Sequence, residues 1–414
     1  MPASNEFFDS LETRSPEERH QQQMALLPAH IQHAKEHTRA YAGLFADVDP
    51  NGISSAEALS QLPVTRKSNL HDAQQQDKPF GGYASQAPGN LLRVFSSPGP
   101  IYEPEGDTAD YWRIARALYA AGFRAGDLVH NAYSYHFTPA GAMMETGAQQ
   151  IGAGVFPAGT GQTQLQVEAM ADLRPQGYAG TPSFLRILIE KAAELSIDVS
   201  SLSKALVSGE ALPPSLRQQF SDNGIDTYQA YATADLGLIA YESQAREGLI
   251  VDEGIVVEIV RPGTGDPVAA GEVGEVLVTT FNTHYPLIRF ATGDLSAVLP
   301  GASPCGRTNL RIKGWMGRAD QTTKVKGMFV HPHQVDQICK RHPEIVRARL
   351  VVTNPDNKDA LTLQCALSGA DAGTGQAIEE TIRDILKLRG AVEIVDSGTL
   401  PNDGKVIDDT REYT

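Results

Sequence analysis

Apolar positions along the chain recur at two periods, and the switches between them outline the elements. Near the N-terminus Met24, Leu27 and Ile31 fall at helical spacing behind Ser15 and Pro16-Glu17-Glu18, which predicts a helical region over 15–41 with Ser15 as its cap. Residues 60–82 read as a proline-bounded loop and a short helix, with Lys67 a solvated side chain. Residues 91–95 read as a strand. Residues 110–121, with Trp112, Ala115 and Tyr119 repeating and Gly122 behind them, read as an amphipathic helix. A strand from 128, a strand and glycine loop over 152–161, a helix over 162–171, a strand end over 177–182 and a helix over 183–195 follow. A strand ending at Val207 then leads into a Gly-Glu turn and a proline-started helix. Alternation of this kind predicts a large layered α/β domain with right-handed crossovers. Residues 254–260 and 274–280 alternate apolar with other residues and add a β-rich subdomain. Beyond residue 318, helices over 332–341 and 376–388 and strands over 348–352, 361–366 and 392–395 predict a small C-terminal α/β domain.

Between these parts lies the stretch 285–330. Leu287, Ile288 and Phe290 are strand-forming, Thr292-Gly293 is expected to break the strand, and Asp294 is left at the turn, where a carboxylate can accept bonds from a diol. At Gly317-Arg318-Ala319-Asp320 glycine frees the backbone, and the polar pair can exchange partners if the following domain rotates. From the residues alone this is a polar turn and a flexible junction.

A length of 414 residues exceeds one ordinary core, so more than one domain is expected, and 41% hydrophobic with 21% charged residues describes a globular chain. The net charge of −15 argues against nucleic acid and against an anionic membrane as partners, while leaving room for small anions met locally by Lys, Arg and backbone N–H groups. Cys305, Cys339 and Cys365 are too few and too scattered for a disulfide framework or a Cys-rich zinc site. No apolar run reaches the roughly 20 residues of a membrane span, and the polar, acidic N-terminus lacks the pattern of a secretory signal. The cytoplasm is the expected compartment.

Asp294, the Gly-Arg-x-Asp junction, and Leu-Pro, Thr-x-Lys and Pro-Phe-Gly within 60–82 together resemble the adenylate-forming superfamily, closest to its phenylacetate-CoA ligase branch. The resemblance implies an N-terminal domain over 1–317 holding acid, ATP and Mg²⁺, and a mobile C-terminal lid over 318–414. Ser208, Gly209 and Glu210 form the turn that lies on adenine. Tyr231, in Tyr231-Ala232-Thr233-Ala234-Asp235, supplies a ring to the base, and Thr233 or its neighbours reach phosphate. Asp235 stands where the family's glutamate binds Mg²⁺, about one methylene shorter and still a hard oxygen ligand, with helix capping as the competing reading. Asp294 binds ribose, Arg318 ribose or phosphate, and Asp320 is the hinge. Tyr133, Tyr135, His136 and Phe137 line the acid pocket, since rings give flat apolar area at small entropic cost. Lys405, in the tail's Gly-Lys, is the adenylation lysine: attack of a carboxylate on the α-phosphate brings two anions together, and an ammonium between them stabilises the transition state.

The chain departs from the family where a Ser/Thr/Gly loop ending in Lys wraps the triphosphate. Ser96, Ser97 and Gly99 survive, but Pro98, Pro100 and Pro104 carry no N–H, the lysine is absent, and Glu103, Glu105 and Asp107 repel phosphate. Three accounts follow: a loop rebuilt toward the acid with ATP held elsewhere, lost ATP chemistry, or another mode of nucleotide binding. The intact motifs elsewhere favour the first. The leading expectation is an AMP-forming ligase joining an aryl or arylacetic acid to CoA, and the resemblance implies a homodimer. The alternatives are an adenylyltransferase that stops at the AMP adduct and a non-catalytic nucleotide- or acyl-binding protein.

Overall fold

The computed structural model describes residues 6–261, 264–316, 318–319, 321, 323–330, 332–355, 358–369, 373–396, 398–400 and 406–411. The chain forms two compact units, Met1–Trp315 and Met316–Thr414.

In the first unit the α/β alternation produces five parallel strands, Gly154–Phe156, Leu128–Asn131, Gly177–Gly180, Lys204–Val207 and Asp226–Thr233, side by side in that order. The sheet continues antiparallel through Gly237–Glu242, Leu249–Val251, Arg311–Ile312 and Val298–Leu299. Helices Ala140–Gln150, Thr163–Leu173, Pro182–Leu195 and Pro214–Asp222 connect the parallel strands. Pro182 and Pro214 sit at helix starts, where the missing N–H costs nothing, and Thr181 caps the first by accepting from Phe184 N. A second sheet orders Thr65–Arg66, Phe290–Ser296, Gly274–Thr280 and Ile255–Val260, the β-rich part anticipated from alternation.

The N-terminal helical region splits into Pro16–His37 and Arg39–Leu44, with Ser15 accepting from Glu18 N as its cap and Met24, Leu27 and Ile31 buried. The helix expected over 110–121 starts later, at Ile114. Asp110 and Arg113 have left-handed backbones, and the Asp110 carboxylate accepts from Ala115 N instead of riding on the helix.

Two further readings are corrected. Thr292-Gly293 does not end a strand: Phe290–Ser296 runs straight through it, and Leu287 and Ile288 precede the strand as buried loop residues. Gly293 takes φ +77° where the register against Glu275 and Leu277 slips, so the glycine makes a bulge that redirects Asp294 rather than a terminus. The proline-rich departure at 96–106 is likewise no loop. Arg93–Ser97 and Ile101–Glu105 form an antiparallel hairpin, pairing Ser97 with Ile101 and Phe95 with Glu103. Pro98 and Pro100 occupy its turn, and Pro104 is tolerated because a two-stranded ribbon has free edges.

In the second unit Ala391–Ile394, Ala360–Leu367, Ile345–Thr353 and Ile407–Asp409 form one sheet, packed by the apolar faces of Pro332–Arg341 and Thr374–Leu386. Thr323–Val325 and Met328–Val330 form a hairpin that the sequence pattern had not separated out.

Candidate active site

In open α/β sheets, ligands collect beyond the carboxyl ends of the parallel strands. Three of the expected segments lie there. Tyr133 follows Leu128–Asn131, Ser208-Gly209-Glu210 follows Lys204–Val207, and Tyr231-Ala232-Thr233 closes Asp226–Thr233. The first two are joined directly: the buried Tyr133 hydroxyl donates to the Ser208 carbonyl at 3.0 Å. Gly209 has φ +82°, which lets the strand turn at once, and Glu210 reaches across to accept from Ser183 N at 3.3 Å. Thr233 Oγ1 accepts from Leu236 N at 3.2 Å and shapes the turn that presents Asp235.

The Phe290–Ser296 bulge brings Asp294 into this region. Its Oδ2 accepts from the Tyr231 hydroxyl at 2.8 Å and its Oδ1 from Trp315 Nε1 at 3.1 Å. The backbone N–H of Asp294 is held by Thr292 Oγ1 at 3.1 Å, and Thr292 in turn donates to Val276 O. Tyr231 is therefore fixed by its hydroxyl. Trp315 escaped the sequence reading, its only signal being an indole just ahead of the Gly-Arg-x-Asp junction.

Asp235 is buried, and its Oδ2 pairs with Lys67 Nζ at 2.5 Å. Its Oδ1 is buried without a hydrogen-bond partner among the described residues. Lys67, the first residue of the helix Lys67–Gln76, is not the solvated side chain expected from sequence. Burial alone would lower its pKa, but the charge of Asp235, with Glu103 and Asp294 behind it, outweighs burial and holds it above the usual lysine range. Non-local pairing of this kind leaves no trace in a linear pattern.

The hairpin completes the cluster. Glu103, fully buried, accepts from Ser97 N at 3.1 Å and is bonded to Ser97 Oγ. Burial, then the nearby Asp235 charge, push its carboxyl up to about 8 against the opposing pull of Ser97 and Lys67. Glu105 turns away, accepting from Trp112 Nε1 at 3.1 Å and from Arg93 at 2.9 Å. The buried Tyr285 hydroxyl, close enough to feel both Asp235 and Glu103, has no partner among the described residues.

Of the expected acid-pocket residues, Tyr135 accepts from Asn131 Nδ2 at 2.8 Å, while His136 and Phe137 are exposed on the loop beyond, Phe137 to 79%. The Phe137 carbonyl accepts from Ser96 N at 2.8 Å, tying that loop to the hairpin. Arg318 belongs to the second unit, half-buried beside Ala319. Asp320 and Lys405 lie outside the described residues.

No set of three or more His, Cys, Asp or Glu side chains among the described residues is arranged to hold a metal. The orphaned Asp235 Oδ1 nevertheless fits a Mg²⁺ ion, which takes one or two carboxylates and fills its remaining positions with water and phosphate oxygens.

A carboxylate that accepts from a tyrosine and an indole, and a buried carboxylate oxygen without a partner among the described residues, gather near the carboxyl end of the parallel strands, and a family model described as AMP-binding enzyme matches residues 111–283. A phenylacetate-coenzyme A ligase of Thermus thermophilus is 32% identical over 339 residues, covering 78% of this chain and 75% of the relative. The chain belongs to the phenylacetate-CoA ligase family of adenylate-forming enzymes, AMP-forming acid–thiol ligases that work through an acyl-adenylate. A phenylacetate-coenzyme A ligase of Escherichia coli is 28% identical, covering 97% of each chain. In fold the chain is similar to the crystal structure of a 2-hydroxyisobutyryl-CoA ligase, with a TM-score of 0.78 at 24% identity over 100% of this chain and 94% of that one. The resemblance read from the motifs and the α/β fold class are both confirmed.

Proposed function

We propose that the protein activates an aryl or arylacetic acid with ATP and passes the acyl group to CoA. The observation that carries the reading is the convergence of Asp294, Tyr231 and Asp235 in one cluster, two of them with oxygens suited to a nucleotide and its cation. The 1–317 domain holds acid and nucleotide, and 318–414 acts as the lid. Asp294 accepts from the ribose hydroxyls. The Ser208-Gly209-Glu210 turn and the Tyr231 ring flank adenine, with Ala232 and Thr233 toward the phosphates and Arg318 on ribose or phosphate. Asp235 holds Mg²⁺, which when bound neutralises phosphate charge.

In the first half-reaction a carboxylate oxygen of the acid attacks the α-phosphorus, the bond to the β-phosphate oxygen breaks, and pyrophosphate leaves. Lys405 stands between the two anions, where an ammonium lowers the barrier by electrostatics. Rotation about Asp320 then withdraws Lys405 and admits CoA. Its thiolate sulfur attacks the acyl carbonyl, and AMP departs with the bonding pair.

The arylacetic preference draws on Tyr133, Tyr135, His136 and Phe137 and on the names of the Thermus and Escherichia relatives. Three free cysteines fit a cytoplasmic setting, and among the described residues no helix is long and apolar enough to cross a membrane. The family resemblance supports a homodimer.

Incubation with Mg-ATP and a panel of carboxylic acids, with and without CoA, tests the proposal. Pyrophosphate with thioester is the expected result. An AMP adduct alone makes the protein an adenylyltransferase, and neither product leaves a non-catalytic binder.

A further inference from the structure

A site that grips a polyphosphate points N–H and O–H groups at its ligand. Along the 93–105 hairpin three such N–H groups and the Ser97 hydroxyl are already engaged. Ser96 N donates to Phe137 O at 2.8 Å, Tyr102 N to Gln74 Oε1 at 2.8 Å, and Ser97 N to Glu103 Oε2 at 3.1 Å, with the Ser97 hydroxyl on the other Glu103 oxygen. Pro98, Pro100 and Pro104 have no N–H to give. The acceptor on Ser97 is thus a protein carboxyl, fully buried, with the Lys67 ammonium and the Asp235 carboxylate beside it.

We propose that the Glu103 carboxyl is a built-in stand-in for phosphate, which occupies the Ser97 donors and biases the nucleotide site toward the single phosphate of AMP or an acyl-adenylate over the triphosphate of ATP. The inference rests on the ligase reading, which puts ribose on Asp294 and the phosphates by Asp235. A monophosphate beside Asp294 and Asp235 leaves the Ser97–Glu103 pair intact. The β- and γ-phosphates must displace Glu103 from its donors, and a displaced carboxyl is left buried and unsatisfied. Adenylation therefore carries a cost that thioester formation from the adenylate does not, so the chemistry is tilted toward the second half-reaction.

The test is calorimetric titration of the full chain with AMP and with ATP, Mg²⁺ present throughout, in wild type, Glu103→Ala and Glu103→Gln. Alanine frees both Ser97 donors, and ATP binding is expected to tighten relative to AMP by about tenfold. Glutamine keeps an acceptor for Ser97 N–H and a donor for its hydroxyl, so its AMP-to-ATP ratio stays within about twofold of wild type. Where Glu103→Ala does not fold, Glu103→Thr, a strand-forming residue too short to reach Ser97, carries the same expectation. An unchanged ratio in the short variants overturns the inference alone. An equal gain in Glu103→Gln also overturns it, because charge and not donor occupancy then sets the preference. Failure of the wild type to bind either nucleotide overturns the ligase reading and the inference with it.

Discussion

Lys67 Nζ and Asp235 Oδ2 are 2.5 Å apart although 168 positions separate them, so the proposed magnesium ligand already has a cation at its side. The Asp235 side chain is fully buried and that of Lys67 is 29% exposed. An ion pair so placed protects the acid from standing alone in a poor solvent for charge.

Lys67→Met should therefore destabilise the fold by about 1–3 kcal/mol, below the range for a wholly buried pair because Lys67 keeps some solvent. Adding Asp235→Asn should restore much of the loss. Urea denaturation of both single variants and the double variant checks this, and strictly additive losses would refute the pairing.

Asp294 accepts from both Tyr231 and Trp315, so Asp294→Ala removes the acceptor of two donors as well as the proposed ribose ligand. AMP affinity should fall at least about tenfold, the worth of one charged hydrogen bond. Tyr231→Phe, which leaves the carboxylate in place, should cost less. Calorimetric titration with AMP ranks the two variants, and the reverse order would remove Asp294 from the site.

Lys405→Ala should abolish pyrophosphate release from acid and Mg-ATP while sparing thioester formation from supplied acyl-adenylate. The two half-reactions are assayed separately. Unimpaired first-step activity would refute the role given to Lys405.

His30 is buried with its Nε2 lacking a partner among the described residues, and burial, helped by His33, lowers its pKa from 6.5 to about 4. The folded pKa lies below the unfolded one, so the unfolded chain binds more protons between pH 6.5 and 4. The stability from a neutral His30 is complete above about pH 6.5 and is lost as the pH falls toward 4, by up to about 3 kcal/mol. Denaturation midpoints of wild type and His30→Leu across this window should converge toward acid. Parallel curves would exclude His30 as a source of acid sensitivity.

Gly237 has φ +73°, and a β-carbon there would lie 2.6 Å from the Trp112 carbonyl oxygen, a backbone atom that cannot swing aside. Gly237→Ala should cost about 2–4 kcal/mol, from overpacking and backbone strain together. Thermal and urea unfolding measure it, and a near-neutral variant would mean that the Asp226–Thr233 and Gly237–Glu242 pair relaxes more freely than described.

The layered fold was readable because its elements announce themselves locally: Pro182 and Pro214 open helices, and Ile255–Val260 and Gly274–Thr280 are rich in the β-branched residues that strands favour. Asp294 was legible as a chemical group, but Gly293 was misread. A glycine in a strand pattern signals either an end or a bulge, and only the partner strand decides which. The hairpin at 93–105 was hidden by its prolines, which argue against pairing in a central strand but not in a two-stranded ribbon. Lys67, Glu103 and Trp315 acquire meaning only through partners distant in sequence, and composition carries no record of such meetings.

The chain has two tryptophans, and they sit in opposite circumstances. Trp112 is sealed in the interior against Glu105, whereas Trp315 is 44% exposed with its indole N–H on the carboxylate assigned to the sugar. A sugar binding that carboxylate, as proposed, would compete for the indole proton, and the emission of Trp315 is expected to register it over a steady background from Trp112. Occupancy is thus expected to be readable without a label.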